Sequence, residues 1–289
     1  MEGVRYEAPE TLQAAVDLLA GAAGVARILA GGTDLIVQME TDLVEPELLV
    51  DIKKIAETRQ FTTENGGFRV GAAVPGMDIV ANAAFCKAWP GVVDGVKLIG
   101  SIQIKGRASI GGNLCNASPA ADSVPALIAA GAIARIVGPR GSRDVPVETI
   151  PVAPGKTSLA QGEIVTSLFF PPRPRHSSDA YQRFTPRTEM DIAVVGVGVN
   201  LSLDDSGTCT AARVALGAVA PTVLLVQEAA DALVGTRLDD AALDRLAKAA
   251  SAACRPIDDK RGTREYRIKV AGVLAKRTAQ QALERARKN

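Results

Sequence analysis

The chain has 289 residues, of which 47% are hydrophobic, so it is long and apolar enough to bury a sizeable core and is not a disordered protein. Its 33 basic and 32 acidic residues nearly cancel, and this balance gives no electrostatic reason to expect nucleic acid or a membrane surface as a partner. The single histidine, His176, lies in a Pro/Arg/Ser-rich stretch, a poor setting for nucleophile–base catalysis, so any chemistry is expected to belong to a cofactor.

The first third of the chain alternates helix and strand patterns. Apolar residues at helical spacing predict a helix at positions 10–19, and a second, short helix is predicted at 34–40. Apolar runs predict strands at 27–30 and 48–52. This β–α–β order favours strands that are locally parallel.

The stretch from about 56 to 175 has the mixed pattern of an α+β subdomain. Its predicted strands lie at 68–72, 132–137 and 164–170. Helices are predicted at 92–99 and at 120–130, where Pro125 is tolerable only near the first turn. The glycine-containing segment 109–115 between them is predicted to be a turn.

A cluster of prolines between positions 171 and 178 cannot continue the preceding strand and predicts a domain boundary. We therefore expect an N-terminal domain over 1–175, divided near residue 55 into parts of about 1–55 and 56–175, and a C-terminal domain over 179–289. The latter should contain a hairpin of strands at 192–203 and 208–216, followed by helices at 228–234, 239–253 and 263–287. The basic end of the last helix is expected to be a solvated, frayed terminus.

The remaining bulk features concern location and metals. The four cysteines are scattered and lack the close spacing of zinc or iron–sulfur ligands, so we expect no metal site on this chain. The sequence starts without a leader-like segment and has no apolar stretch long enough to cross a bilayer. These features favour a reduced, cytoplasmic protein.

A glycine pair at Ala30-Gly-Gly-Thr-Asp-Leu directly follows a predicted strand. Glycine permits positive φ and close backbone approach, and successive N–H groups before a helix start can form an anion site. No Lys or Arg lies within positions 31–35, so a diphosphate here would rest on backbone dipoles. The pattern is neither a P-loop nor a Rossmann fingerprint, and taken alone it favours an ordinary strand–helix turn.

A second segment, positions 109–122, again packs small residues, hydroxyls and amides before a predicted helix. Asn113 and Asn116 can donate and accept hydrogen bonds, and Asp122 could accept from sugar or ribityl hydroxyls or simply stabilise the helix start. Two such loops suit a long ligand with a central diphosphate and a hydroxyl-rich arm, which makes a dinucleotide a natural candidate.

The string SIGGNLCNASPAADSVPALIAAGA at 109–132 resembles the FAD-binding medium subunit of the xanthine dehydrogenase and carbon monoxide dehydrogenase (molybdenum hydroxylase) family. Three other segments agree in order and spacing: ILAGGTDL at 28–35, GEIVTSLFFPP at 162–172 and YQRFTPRTEMDIAVVGV at 181–197. The resemblance covers nearly the whole chain. It implies an α+β fold with a two-part FAD-binding domain of the vanillyl-alcohol oxidase / p-cresol methylhydroxylase type, followed by a small C-terminal domain of antiparallel sheet plus three helices.

The resemblance also implies a role. Such a subunit carries FAD in a heterotrimer, assembled as a dimer of heterotrimers, in which a large subunit holds the molybdopterin cofactor and a small subunit holds two [2Fe–2S] clusters. It passes electrons from the clusters through FAD to NAD+, dioxygen or another acceptor. The absence of cluster-type cysteine spacing here is consistent with clusters on a partner.

Site residues follow from the same resemblance. The first loop would wrap the diphosphate with Ile28, Leu29, Ala30, Gly31, Gly32, Thr33, Asp34 and Leu35. The second side of the FAD would be held by Ser109, Gly111, Gly112, Asn113, Cys115 and Asn116, with Cys115 more simply a small buried hydrophobe than a redox group. Other expected contacts are Asp122 at the ribityl or diphosphate region, Ile164 or Val165 at the flavin or adenine edge, and Arg183 near the cofactor.

Two positions depart from aromatic versions of the family: Ile99 stands where some relatives have Phe, and Ile192 where some have Tyr. An aliphatic side chain cannot stack on a ring as an aromatic one does, so the electron acceptor stays open. The chain also lacks the cysteine-rich loop of relatives that reduce 4-hydroxybenzoyl-CoA, which argues against that branch.

Two other functions compete with this one. A stand-alone flavoprotein oxidase of the vanillyl-alcohol type would act directly on a small alcohol or phenol, but no Tyr/Arg/His constellation is visible. A scaffold protein that has lost FAD is the non-catalytic alternative, and the intact loops argue against it. The substrate of the complex is not predictable because its pocket would lie on another chain.

Overall fold

The computed structural model describes residues 3–188 and 190–289. Its first part is a three-stranded sheet in the order β1–β3–β2, in which both neighbouring pairs are parallel, as the β–α–β pattern predicted. The elements are β1 (Arg5–Glu7), α1 (Leu12–Ala20), β2 (Ala26–Leu29), α2 (Leu35–Glu40) and β3 (Leu48–Asp51). Helix α1 begins after Thr11, whose side chain accepts from Ala14 N, and it buries one apolar stripe against the sheet.

The second part contains a five-stranded antiparallel sheet in the order β4–β5–β10–β6–β7, so it differs in kind from the parallel first part. Its strands are β4 (Phe61–Glu64), β5 (Gly67–Gly71), β6 (Ile133–Gly138), β7 (Gly141–Pro146) and β10 (Ile164–Phe170), with a separate small pair β8 (Pro151–Ala153) and β9 (Lys156–Thr157). Its helices are α3 (Ala56–Arg59), α4 (Gly76–Ala81), α5 (Ala83–Ala88), α6 (Pro90–Lys97), α7 (Ile102–Lys105), α8 (Ile110–Cys115) and α9 (Ser123–Ala129).

Four of the six phenylalanines cluster in this second core. The fully buried ring of Phe85 makes edge contacts with Phe61 and Phe68 at centroid distances of 5.4 Å, and with Phe170 at 4.9 Å. Edge-to-face pairs of this kind each add about 0.5–1.5 kcal/mol beyond the burial of their area. The cores of the first part and of the C-terminal part are aliphatic, and only 3% of the residues of the chain are aromatic.

The C-terminal part is a four-stranded antiparallel sheet in the order β11–β12–β13–β14, covered by helices. The elements are β11 (Ser177–Phe184), β12 (Val195–Leu203), β13 (Cys209–Gly217), β14 (Leu224–Leu225), α10 (Gln227–Asp231), α11 (Asp240–Ala253) and α12 (Arg264–Ala286). The predicted hairpin is β12–β13, and Asp204 closes its turn by accepting from the backbone N–H groups of Ser206 and Thr208. In the part of the chain that the structure describes, no helix is both long and apolar enough to cross a membrane.

Helix α9 packs on strands β11, β12 and β13 of the C-terminal sheet, and every one of its residues is buried. A Cβ atom added at Gly198 of β12 would lie 2.4 Å from the carbonyl oxygen of Pro125, so the strand packs directly on the helix backbone. Pro125 is the third residue of α9, within the first turn, where its missing N–H costs no hydrogen bond.

One predicted turn is wrong. Positions 110–115 form helix α8. Its N-cap is Ser109, whose hydroxyl accepts from Gly112 N at 3.1 Å. The N-cap and the packing of Ile110 and Leu114 into the core outweigh the low helix propensity of the two glycines.

The expected frayed terminus is also wrong for Arg285. Its guanidinium lies 2.6 Å from Asp94 Oδ2 and also donates to the carbonyl oxygen of Asp179 at 3.0 Å. This contact joins the end of α12 to α6, so the last helix is fastened to the N-terminal part of the chain rather than released into solvent.

Candidate functional site

The two glycine-containing loops line one cavity of about 810 Å³, within the size range of ligand sites. From the first loop the wall includes Ile28, Ala30, Gly31, Gly32, Thr33, Asp34 and Leu35. From the second side it includes Ile99, Ser109, Gly111, Gly112, Asn113, Cys115, Asn116, Ile164 and Val165. Loops that are more than 70 positions apart in the sequence therefore share one cleft.

The loops meet because Gly31 has no side chain. A Cβ atom at Gly31 would lie 2.0 Å from the carbonyl oxygen of Arg107, a distance that real atoms cannot adopt. Arg107 also donates from Nε to the carbonyl oxygen of Gly31 at 3.3 Å. The next residue, Gly32, has φ +76°, which favours glycine. Both glycines of the pair are thus required, for two different reasons.

Four consecutive backbone N–H groups of the first loop, those of Gly31, Gly32, Thr33 and Asp34, have no hydrogen-bond acceptor within residues 3–188 and 190–289. Helix α2 begins just beyond them, and Ile36 N donates to the carbonyl oxygen of Gly32 at 3.1 Å. Unpaired donors at a helix start, lining a cavity, are suited to an anion. A diphosphate matches them in charge and in its number of acceptor oxygens.

The second loop offers polar side chains whose orientation is fixed from behind. Asn113 Oδ1 accepts from Ser123 Oγ at 2.7 Å and from Ser123 N at 3.2 Å. Because the oxygen of this amide is occupied, its NH₂ group remains to donate. Across the cleft, Gln38 Nε2 of α2 donates to Asn116 Oδ1 at 3.0 Å and ties the two loops together a second time.

Cys115 ends helix α8 in the cleft wall. Burial raises the pKa of its thiol to about 12. The thiol therefore stays protonated at neutral pH, which disfavours nucleophilic attack, since that role needs the thiolate.

Four predicted residues lie outside the cleft wall: Leu29, Asp122, Arg183 and Ile192. Asp122 and Arg183 instead form an ion pair, with Arg183 Nη1 2.7 Å from Asp122 Oδ2. Tyr181 donates its hydroxyl to Asp122 Oδ1 at 3.2 Å. Burial raises the pKa of Asp122 to about 6, although Arg183 and Tyr181 oppose the shift. The roles of these residues toward a cofactor stay predictions.

Sequence reasoning missed the wall formed by the segment between β8 and β10. This part of the wall comprises Pro154, Gly155, Thr157, Leu159, Ala160, Gln161, Gly162 and Glu163. Gln161 anchors the segment by donating from Nε2 to the carbonyl oxygens of Ala20 and Ala22 at 3.2 and 2.9 Å. Small and apolar residues in an irregular segment carry no motif, so only the resemblance at 162–172 pointed toward it.

His176 lies outside the cleft wall as well. Its Nε2 is 3.6 Å from Asp205 Oδ1, at the far end of the β11–β12 pair.

Comparison with known proteins identifies the family. Residues 2–173 match the family described as "FAD binding domain in molybdopterin dehydrogenase", and residues 179–282 match "CO dehydrogenase flavoprotein C-terminal domain". The chain is 30% identical to a putative xanthine dehydrogenase FAD-binding subunit of Escherichia coli, over 97% of this chain and 96% of that one. It is 33% identical to the carbon monoxide dehydrogenase medium chain of Afipia carboxidovorans, over 98% and 97% of the two chains.

Solved structures agree. A chain of reconstituted CO dehydrogenase from Oligotropha carboxidovorans superposes with a TM-score of 0.93 at 34% identity, covering 98% of both chains. A chain of quinoline 2-oxidoreductase from Pseudomonas putida gives 0.89 at 28% identity, again over 98% of both. The predicted fold class, a two-part FAD-binding domain followed by a sheet-and-helix C-terminal domain, is confirmed. The chain belongs to the family of FAD-binding medium subunits of the molybdenum hydroxylases.

Proposed function

We propose that this chain is the electron-transfer subunit of a heterotrimeric molybdenum hydroxylase. It takes electrons from [2Fe–2S] clusters on a small partner subunit and delivers them to NAD+, dioxygen or another acceptor. A large partner subunit with a molybdopterin cofactor performs the hydroxylation. When bound, FAD supplies the redox chemistry that accepts and releases these electrons. The observation that carries the proposal is the single cleft in which both loops meet and four backbone N–H groups are left without acceptors.

The first loop would hold the diphosphate. Its unpaired N–H groups on Gly31 to Asp34 are fixed donors, and hydrogen bonds to a charged oxygen contribute about 1.5–3 kcal/mol each. Because Gly31 and Gly32 bring no side chains, the phosphate oxygens can approach the backbone closely. The start of helix α2 adds its partial positive charge.

The second loop would hold the hydroxyl-rich arm and orient the ring. Asn113 offers an NH₂ group whose direction is set by Ser123. The hydroxyl of Ser109 caps the start of helix α8 in the same part of the wall. Ile99, which is partly exposed in the cleft wall, would provide an apolar contact for a flat ring system, whereas Ile164 and Val165 are buried and would support the wall from behind. These residues bind and orient, and they exclude water from one face of the ligand.

The pairing of Asp122 with Arg183 narrows their proposed roles. Since the Asp122 carboxylate is engaged by Arg183 and Tyr181, we propose that it holds the second loop and α9 against strand β11. Arg183 also donates to the carbonyl oxygen of Asp191, next to Ile192 in the connection from β11 to β12. Any contact of Ile192 with a ring would come from this connection rather than from the cleft wall.

A multi-subunit assembly is favoured over a stand-alone oxidase. The relatives at 30–33% identity are named as a subunit and a medium chain, and the present chain spans 96–97% of their length. A cytoplasmic dimer of heterotrimers remains the proposed assembly and location.

The test is to co-express this chain with the products of its neighbouring genes and to purify the complex through a tag on this chain. One FAD per chain, together with molybdenum and iron in amounts matching one large and one small subunit, is expected. Flavin that is reduced only when the partners and their substrate are present would support electron transfer. A chain that purifies alone with bound flavin and oxidises alcohols or phenols directly would favour the stand-alone oxidase instead. A colourless chain would favour the scaffold.

A further inference from the structure

The ammonium group of Lys53 lies next to the first loop, although the loop itself, positions 28–35, contains no Lys or Arg. Lys53 follows strand β3 in a single 3₁₀ turn (Ile52–Lys54). Its Nζ donates to the carbonyl oxygen of Ala30 at 2.8 Å, at the position where the loop leaves strand β2. The ammonium group therefore binds the backbone carbonyl immediately before the glycine pair.

This lysine is itself held in place. Its Nζ lies 2.8 Å from Asp51 Oδ2, and its backbone N–H donates to Asp51 Oδ1 at 2.9 Å. Tyr6 of strand β1 donates its hydroxyl to Asp51 Oδ2 at 2.6 Å. Burial works to raise the pKa of Asp51, but the hydrogen bonds from Lys53 and Tyr6 outweigh it and lower the pKa below its usual value. The carboxylate stays charged and keeps Lys53 directed at the loop.

The hydrogen bonds from Lys53 and Arg107 set the orientation of the peptide groups in the loop. In a trans peptide the C=O and N–H bonds point in opposite directions, and the described residues contain no cis peptide bond. The carbonyl of Ala30 points to Lys53, so the N–H of Gly31 points away from it. The carbonyl of Gly31 points to Arg107, so the N–H of Gly32 points away from Arg107. These two N–H groups belong to the unpaired set that lines the cleft.

We propose that Lys53, held by Asp51 and Tyr6, is a positioning residue that aims the N–H groups of the first glycine loop at the cofactor diphosphate. The proposal rests on the proposed function, because it assumes that the diphosphate lies on this loop. Lys53 acts through the peptide of Ala30, and its charge offsets that of the Asp51 carboxylate, which would otherwise repel a dianion on the loop. Nothing in the loop's own sequence indicates this, since the cation comes from the 3₁₀ turn that follows the neighbouring strand β3.

The test uses the full-length chain, with flavin removed and then titrated with FAD and, separately, with ADP. In Lys53→Met we expect the Kd for both ligands to rise at least about tenfold, which corresponds to about 1.4 kcal/mol. Lys53→Arg keeps the charge and a donor, and its Kd should stay within about threefold of the original chain. Tyr6→Phe should weaken binding in the same direction by a smaller factor.

Lys54→Met is the matched control, since Lys54 is the exposed neighbour and makes none of these contacts. Its Kd should be unchanged. Because Lys53→Met leaves the buried Asp51 carboxylate without its counter-charge, the thermal midpoint of that variant should fall, so binding is titrated well below it, at a temperature where every apo variant is folded. An unchanged FAD and ADP affinity in Lys53→Met would overturn the inference while leaving the proposed function intact. Equal losses in Lys53→Arg and Lys53→Met would overturn it too. Failure of the original chain to bind either ligand would instead count against the proposed function.

Discussion

Gly31 and Arg107 occupy space that allows no side chain between them: a Cβ atom at Gly31 would lie 2.0 Å from the Arg107 carbonyl oxygen. The same two residues are joined by the hydrogen bond from Arg107 Nε to Gly31 O, 3.3 Å long. This contact holds the two sides of the cleft at one fixed separation. Because the two loops approach so closely here, a substitution at Gly31 tests whether the cleft between them binds FAD.

Gly31→Ala is expected to force the loops apart, because the new methyl group meets backbone rather than a flexible side chain. We expect flavin content of the purified protein, measured by absorbance, to fall at least about tenfold. The control is Gly106→Ala, where φ is −66° and the nearest atom to a new Cβ is 3.4 Å away. Full flavin content in Gly31→Ala would show that the contact does not set the cleft.

Gly32→Val and Gly112→Val test the two loops separately. Gly32 has φ +76°, where a β-branched residue is strained by about 1–3 kcal/mol, so the loop must rearrange. A Cβ at Gly112 would lie 3.2 Å from Ser109 Oγ and crowd the cap of α8. Both variants should lose flavin while the C-terminal domain remains folded by circular dichroism. Normal flavin content in both would refute the assigned roles of the loops.

Asp122 predicts a specific pH dependence of stability. Its pKa is raised to about 6 in the native protein, whereas an unfolded chain releases this proton near 3.8. Between these values the native state binds more protons, so its free energy of unfolding decreases as pH rises. Over that window the decrease is about 3 kcal/mol, and it levels off above about pH 7.

The measurement is urea unfolding of the apo chain and of Asp122→Asn from about pH 4 to about pH 7. The Asn side chain does not titrate, so the difference between the two proteins isolates the carboxyl group. We expect the original chain to lose its relative stability as pH rises through this range. A difference that is independent of pH would mean that Asp122 titrates at its ordinary value.

Replacing Asp179 is expected to lower the free energy of unfolding strongly. It is buried, lies 2.7 Å from Arg173 Nη2, and accepts from Val92 N of helix α6 at 2.9 Å. Asp179→Ala leaves the buried Arg173 without its counter-charge, and the free energy of unfolding should fall by about 3–5 kcal/mol. Asp205→Ala, at a fully exposed carboxylate, should leave it nearly unchanged. Similar unfolding midpoints for the two variants would contradict a stabilising role for the buried Arg173–Asp179 pair.

Much of the fold could be predicted because its signals are local. The helical spacing at 10–19, the strand runs at 27–30 and 48–52 and the Asp-Asp-Ser-Gly hairpin turn each depend on neighbouring residues alone, and all appear in the structure within a few positions. Strands β1, β4 and β7 were missed since they are short or polar, with exposed residues that show no apolar run. Helix α8 was mistaken for a turn because its stability comes from burial, which glycine content conceals.

The sequence by itself determined the two glycine loops, their resemblance to a flavin-binding family and most of the elements that carry them. Only the tertiary structure decided that Gly31 fits against Arg107, that Gln38 reaches Asn116, and that Lys53 binds the loop from the turn after the neighbouring strand. It also paired Asp122 with Arg183 instead of placing it in the cleft wall. The physical reason is range: helix and turn preferences act between adjacent residues, whereas these contacts join positions brought together only when the sheets and helices bury their apolar faces.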